Sequence, residues 1–377
     1  MKNLNVPNLG KVPKLRFPEF SEDWEQSTIG ECCNDLEYGM NVAAKEFDGV
    51  NKYIRITDID EKSSTYKADD IVSPEGNLED KYIVRENDIL FARTGASTGK
   101  TYIYNSNDGV LYFAGFLIRA NVKTHNDSKF IYQQTKLSRY NKWVNIMSAR
   151  SGQPGINSQE YSTYKLFLPT IEEQHKVSGF INLLDQRIAT QNKIIQQLQS
   201  LIKGIVVSVT AETPNTRIDV CLVCHSSTLQ ENQIDEFGGF PVYGANGICG
   251  YTDNADFNEP AILIVKDGSG VGNVRYVSGQ YSAIGTQNIL TSQNGYCLKF
   301  IYFCLQAFNF IPYKTGMAIP HIYFKDYGKA KIYCPNYAKQ IEIAKQIENI
   351  EKKIEIETSL LNKYEEQKKF LLSNMFI

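Results

Sequence analysis

From Thr170 to Val209 the apolar residues fall at Val177, Ile181, Leu184, Ile188, Ile195, Leu198, Ile202, Ile205 and Val209, with one slot skipped at Gln191. The steps alternate between four and three. A period of 3.5 predicts a helix that buries a narrow seam against another helix. Thr170 followed by Glu173 reads as a capping box at its start, and Pro214 lies just beyond its end. About 38 residues at about 1.5 Å each make a rod of roughly 55–60 Å. The same register returns 166 residues later, the displacement that carries Pro169 onto Pro335. Gln174 then meets Gln340, Ile181 meets Ile347, Leu184 meets Ile350 and Ile188 meets Ile354. Ile195 meets Leu361, Leu198 meets Tyr364, and the skipped slot meets Glu357. Only Ile202, which meets Lys368, breaks the seam. The alternative, two unrelated amphipathic helices, does not explain a shared register. The helices are expected to pair with each other, with Gln191 against Glu357 as a polar layer.

Between the rods lie two stretches of another kind. Runs such as Tyr53–Thr57, Asp88–Arg93, Thr101–Tyr104 and Val110–Phe113 read as strands separated by turn formers, and Lys129–Met147 reads as a helix. Farther on, Pro260–Lys266 and Asn273–Val277 read as strands and Lys299–Phe310 as a helix. Ordered echoes link the two stretches. Asp88–Gly95 resembles Ala261–Gly268, Lys129–Tyr132 recurs as Lys299–Tyr302, and Arg150-Ser151-Gly152 echoes Lys314-Thr315-Gly316. The expected fold is α+β, with two globular domains alternating with two long helices that pair as an antiparallel coiled coil. The expected segments are an arm at 1–26, a first domain at 27–169, a central helix at 170–210, a second domain at 211–335 and a closing helix at 336–377. In the arm, Phe17, Phe20 and Trp24 are placed to dock on a neighbour.

Composition refines this picture. The chain has 377 residues, 42% of them hydrophobic and 12% aromatic, enough for folded domains. No apolar run spans a bilayer, and Met1 to Phe20 lacks a hydrophobic signal segment, so a cytoplasmic protein is expected. Eight unevenly spaced cysteines suggest free thiols. A net charge of −2 argues mildly against a nucleic-acid partner, but the distribution does not. From Asn87 to Ser158 the only acids are Asp88, Asp108 and Asp127, against nine Lys and Arg, and from Gly268 to Lys325 there is no acid at all. Each domain therefore carries an acid-poor second half, a face suited to a polyanion. The alternative is that these halves are simply aromatic-rich core strands.

Chemical motifs are few. Gly95–Thr101 approximates a phosphate loop but has three residues between its glycines rather than four. Cys221-Leu222-Val223-Cys224-His225 has the spacing of a covalent haem site, without a second Cys pair to complete a zinc site. No nucleophile elbow, S-adenosylmethionine loop, amino-methylation tetrad or nuclease cluster is present. The chain carries no obvious reaction of its own.

The duplicated layout resembles the specificity subunits of type I restriction–modification enzymes. So do Leu15–Phe20 with Trp24, Phe91–Gly95, Phe240–Gly247, Leu168-Pro169 with Glu172-Glu173-Gln174, and Lys368–Phe376. The resemblance implies two target-recognition domains, each reading half of a split site in double-stranded DNA. It also implies a helix pair that sets the spacer, two methyltransferase subunits docked on it, and restriction subunits beyond them. The chain itself would be no enzyme and hold no cofactor or metal, while S-adenosylmethionine, ATP and Mg would act on the partner subunits. Candidate DNA contacts are Arg93, Thr94, Lys100, Arg150 and Gln153 in the first domain. In the second they are Tyr243, Asn246, Lys266, Arg275, Lys314 and His321. Two other classes stay open: a coiled-coil scaffold that reads no DNA, and a DNA-modifying enzyme with an unrecognised active site.

Overall fold

The computed structural model of the protein describes residues 12–317 and 319–377, so the first eleven residues of the arm lie outside it. The described chain forms two compact units, one running up to Thr190 and taking in Leu361–Ile377, the other spanning Gln191–Leu360. The division falls inside the long helices, not where 27–169, 170–210, 211–335 and 336–377 meet. Each unit is one globular body with part of each long helix.

The first unit is built on a sheet of β1 (Cys33–Tyr38), β2 (Asp88–Ala92), β3 (Thr101–Ile103) and β4 (Leu117–Val122), in the order β1-β4-β2-β3 with every neighbour antiparallel. All of β2 is buried, because both faces of the sheet are covered. Successive side chains of a strand point to opposite faces. Ile89 and Phe91 therefore enter a core with Ile131, Tyr140, Val144 and Tyr161, while Leu90 and Ala92 enter another with Ile54, Val84, Leu111 and Phe113. The segment expected as one helix from Lys129 to Met147 is two, α1 (Ser128–Gln134) and α2 (Ser138–Met147). Asp127 caps the first through its side chain. It ends at Thr135, whose hydroxyl turns back to the Tyr132 carbonyl at 2.7 Å.

The central helix α3 spans Ile171–Thr210. Beyond it, β5 (Leu222–Ser226), β6 (Ala261–Val265), β7 (Val274–Val277) and β8 (Gln287–Ser292) form a second sheet in the order β5-β8-β6-β7, again wholly antiparallel. It reproduces the first strand for strand. Helix α4 (Leu298–Gln306) covers its inner face, with Phe300, Ile301 and Leu305 meeting Ile262 and Ile264. The last helix, α5, spans Tyr337–Asn374.

In the first unit Val177, Ile181 and Leu184 of α3 share a core with Leu371 of α5 and Met375 just beyond its end. In the second, Val206 of α3 meets Ile343 and Ile347 of α5. The start of each helix meets the end of the other in both units, so the pair is antiparallel. Ile181, Leu184 and Ile347 are buried, and Ile188, Ile195, Leu198, Ile350, Ile354, Leu361 and Tyr364 half-buried. Gln191 and Glu357 meet within the seam: Gln191 Nε2 donates to the Glu357 carbonyl at 3.1 Å and to its carboxylate.

Two further glutamines fasten helix to domain. Gln174 Oε1 accepts the Asp127 N–H at 3.0 Å and its Nε2 donates to the Pro169 carbonyl at 3.0 Å. Gln340 repeats this with the Cys297 N–H at 2.9 Å and the Pro335 carbonyl at 2.8 Å. Both amides are buried and use both ends, which is how a buried polar group is accommodated. The expected capping role of Glu173 is not what its carboxylate does. It forms a bidentate pair with Arg16 of the arm, at 2.8 and 2.7 Å, a geometry stronger than a single neutral hydrogen bond.

Candidate nucleic-acid interface

The turn from β2 to β3, with Gly95 and Gly99 at positive φ, spends its amides internally. Gly95 N–H goes to the Pro154 carbonyl at 2.9 Å, Thr98 N–H to Gly95 at 3.0 Å, Gly99 N–H to Ala92 at 2.9 Å and Lys100 N–H to Ser97 at 3.0 Å. No ring of free donors awaits a phosphate. The cognate turn after β6 repeats the pattern, with Gly268 N–H to Pro320 at 3.0 Å and Gly272 N–H to Val265 at 2.9 Å. The two turns are one piece of backbone used twice.

At the end of β2, the Arg93 N–H donates to the Phe116 carbonyl at 3.0 Å and its carbonyl accepts from the Ile156 N–H at 2.9 Å. Its guanidinium lies 4.9 Å from the centre of the Tyr38 ring, a cation–π distance. The Tyr38 hydroxyl is held by the Ser158 N–H at 3.1 Å and the Ser158 hydroxyl at 3.2 Å. Burial pushes the Tyr38 phenol up, but the hydrogen bonds from Ser158 and the nearby Arg93 outweigh it and leave the group more acidic than usual. Thr94 bridges to Gly155, and the Gln153 amide lies over Gly95, 2.9 Å from where a Cβ would stand. Arg93, Thr94 and Gln153 therefore converge. Lys100 starts the return to β3 and is half-buried. Arg150 is committed elsewhere: its guanidinium donates to the Met147 and Ala149 carbonyls at 2.9 and 3.2 Å and pairs with Glu160 at 2.5 Å. These bonds close the end of α2, and the side chain remains 42% exposed.

In the second unit, the Lys266 N–H donates to the Thr286 carbonyl at 2.9 Å and its carbonyl accepts from the Ile322 N–H at 2.9 Å, the two bonds that frame Arg93. His321 pairs with Thr315 through both backbone groups, at 2.8 and 2.9 Å, and its ring meets Tyr323 at 5.0 Å. Lys314 is exposed at the start of that loop. Lys266, Lys314 and His321 thus occupy one loop system. Asn246 is exposed at the tip of the hairpin joining Phe240–Gly244 to Gly247–Thr252. Arg275 on β7 donates to the Gly244 carbonyl at 3.4 Å and packs under Gly247, so these two form another group. Tyr243 is half-buried and packs against the core residue Tyr281, centres 5.9 Å apart.

Two residues that charge-based reading passes over stand beside this face. Tyr38 is one. Phe116, in the tight turn before β4, is 55% exposed. Next to it opens a cleft of about 350 Å³ lined by Met40, Val42, Tyr53, Ile56 and Phe116. The sequence signal was an aromatic residue in Ala114-Gly115-Phe116, the counterpart of Ile284-Gly285-Thr286.

Cys221 is buried in the second core and Cys224 packs against it. The His225 ring shares a hydrogen bond with the Thr291 hydroxyl at 2.9 Å. All eight cysteines are free, and among the described residues no group of three or more His, Cys, Asp or Glu could hold a metal ion. Among the same residues no helix is long and apolar enough to cross a membrane.

The family described as "Type I restriction modification DNA specificity domain" matches this chain twice, over residues 21–200 and 218–366. The chain is similar to the type I restriction enzyme MjaVIII specificity subunit of Methanocaldococcus jannaschii, 26% identical over 203 residues. That stretch covers 52% of this chain and 44% of the relative, less than half of its length. A solved type I restriction–modification S subunit from M. genitalium matches 97% of this chain and 99% of its own, with a TM-score of 0.65 and 17% identity. A second solved chain, from a structure described as the complex assembly and conformational transition of the type I R-M system, matches 93% of this chain and 97% of its own, with a TM-score of 0.53 and 15% identity. At these identities the solved structures bear on the fold alone.

Proposed function

The chain belongs to the type I restriction–modification DNA specificity family, and we propose that it is the non-catalytic specificity subunit of such a complex. Each globular domain reads one half of a bipartite, asymmetric site in double-stranded DNA. The observation that carries this reading is the duplicated turn. Arg93 and Lys266 stand on the same two backbone hydrogen bonds, Arg93 within one acid-poor stretch and Lys266 just before the other, so one scaffold presents two different cations. A shared backbone with unlike side chains suits a reader that handles two unlike sequences, because base edges are distinguished by donor and acceptor pattern.

The helix pair sets the spacer between half-sites and docks two methyltransferase subunits, with restriction subunits joining them. Forty residues of α3 at about 1.5 Å each make about 60 Å, more than the roughly 34–36 Å of one duplex turn. S-adenosylmethionine, ATP and Mg act on those partners, and this chain binds none of them.

The test is a modification map: co-expression with the methyltransferase subunit in a host lacking modification, then sequencing of native DNA for methylated bases. One asymmetric two-part motif with a fixed gap is expected, and exchange of 27–169 for another family member's domain should change one half only. A fully assembled complex that methylates nothing at defined sites would contradict the reading. Within it, Arg93→Ala should weaken binding of the mapped site about tenfold or more at moderate salt, the scale of one base contact. Unchanged affinity in fluorescence anisotropy would remove Arg93 from the interface.

A further inference from the structure

The two domains share a backbone, so a side chain present in one and missing from the other at a matched position is not demanded by the fold. Three matched positions meet at the candidate interface. Arg93 and Lys266 match through their paired backbone bonds, which also match Phe116 with Thr286. Tyr38 lies opposite Ile118, and Ser226 opposite Asn288, each two residues past those bonds, which matches Tyr38 with Ser226. The first domain thus carries Arg, Tyr and Phe where the second carries Lys, Ser and Thr.

The aromatic pair is not core filling. Tyr38 is 42% exposed and Phe116 is 55% exposed. Both lie beside the cation of the reading face, Tyr38 through its ring and Phe116 through its carbonyl. Tyr38 is fixed at its far end by Ser158 and lends its ring face to the guanidinium, which restricts Arg93 to one direction. A held guanidinium keeps the fork geometry that reads guanine O6 and N7. Phe116 is tied through its carbonyl to the Arg93 N–H at 3.0 Å, one step beyond the last pair of the ladder, Ala92 with Leu117, which keeps the two backbones about 5 Å apart. Adjacent base pairs are stacked about 3.4 Å apart. An arginine and a phenylalanine on such neighbouring residues therefore reach adjacent pairs.

We propose that Tyr38 and Phe116 determine the specificity of the first domain, Tyr38 as a positioning residue for Arg93 and Phe116 as an apolar contact to the methyl group of a thymine beside the guanine that Arg93 reads. This rests on the DNA-reading function proposed above. The second domain, with Ser226 and Thr286, has no equivalent trio and reads its half by other side chains.

The experiment uses the complex of this chain with its methyltransferase subunits on the mapped site, and on sites altered one base pair at a time. Phe116→Thr and Tyr38→Ser install the second domain's residues. Phe116→Thr should cost about tenfold in affinity and abolish discrimination at one A·T pair of one half-site, while the other half keeps its full preference. Replacing that thymine by deoxyuridine should weaken the wild type but not Phe116→Thr. Phe116→Leu, which stays apolar, should retain the discrimination. Tyr38→Ser should relax the neighbouring G·C position, and Tyr38→Phe, which keeps the ring face but loses the Ser158 anchor, should restore it in part. The undisturbed half-site reports that each variant is folded. If both threonine and serine variants keep wild-type affinity and motif, the proposal is wrong although the DNA-reading function stands. If the wild-type complex shows no bipartite motif, the underlying function fails first.

Discussion

Trp24→Ala is expected to destabilise the first unit by about 3–5 kcal/mol, the cost of deleting a fully buried large aromatic. Trp24 is 1% exposed. Its ring meets Phe130 of α1 edge-on at 5.5 Å and Phe376, just past the end of α5, at 6.2 Å. The same cluster includes Val177, Ile181 and Leu184 of α3. One side chain of the arm therefore joins the globular body, the start of one helix and the end of the other. The rest of the arm adds to this join through Arg16 with Glu173, Phe17 with Phe180 at 5.9 Å, and the Leu15 N–H to the Asn374 carbonyl at 2.8 Å. In a unit of this size 3–5 kcal/mol corresponds to a midpoint lower by roughly 10 °C, read by calorimetry as a shift of one transition while that of the second unit stays in place. Trp24→Phe should cost far less. The indole N–H is buried without a hydrogen-bond partner, so its removal offsets part of the lost contact area. Equal losses for the two variants would mean that ring volume is not what holds the arm.

The helix pair was legible because a seam of period 3.5 leaves its imprint on sequence whatever it packs against, and because two copies carried it in register. The duplicated sheet was legible in part: β2 and β6 are buried on both faces and read as continuous apolar runs. What the sequence hid depends on tertiary competition. Thr170 and Glu173 have the spacing of a capping box, but Arg16, far away in the chain, takes the carboxylate. Arg150 was visible as an exposed cation, but its bonds to local carbonyls and Glu160 were not. Tyr38 and Phe116 escaped because neither is charged and their meeting with Arg93 is made by strand pairing across long loops. Gln174 and Gln340 were visible as a matched pair, but their use as clasps between helix and domain was not.

Replacing Gln191 and Glu357 together by leucine is expected to raise the melting midpoint of the second unit while loosening the specification of helix register. Both residues are buried, at 5% and 8% exposure, although Ile195 and Ile354 near them in the seam are only half-buried. A polar pair in such a place gives up hydration that its mutual bonds only partly return, and a single polar layer is a known means of fixing register at a cost in stability. The singles should behave oppositely to the double. Glu357→Leu leaves the Gln191 amide without the carboxylate it donates to, so it should destabilise. Acid sharpens the comparison. Lys353 first, and then Gln191, hold the Glu357 carboxyl below its ordinary value through hydrogen bonds to the charged form. A carboxylate with a lowered folded pKa contributes stability that is present above its unfolded value and is lost as pH falls through the folded one. The advantage of the double variant over wild type should therefore grow between pH 7 and about pH 3. The decisive readings are melting curves at both pH values and the spacer of the methylation motif. A double variant that melts no higher than wild type and keeps the same single spacer would show that this layer neither costs stability nor sets register.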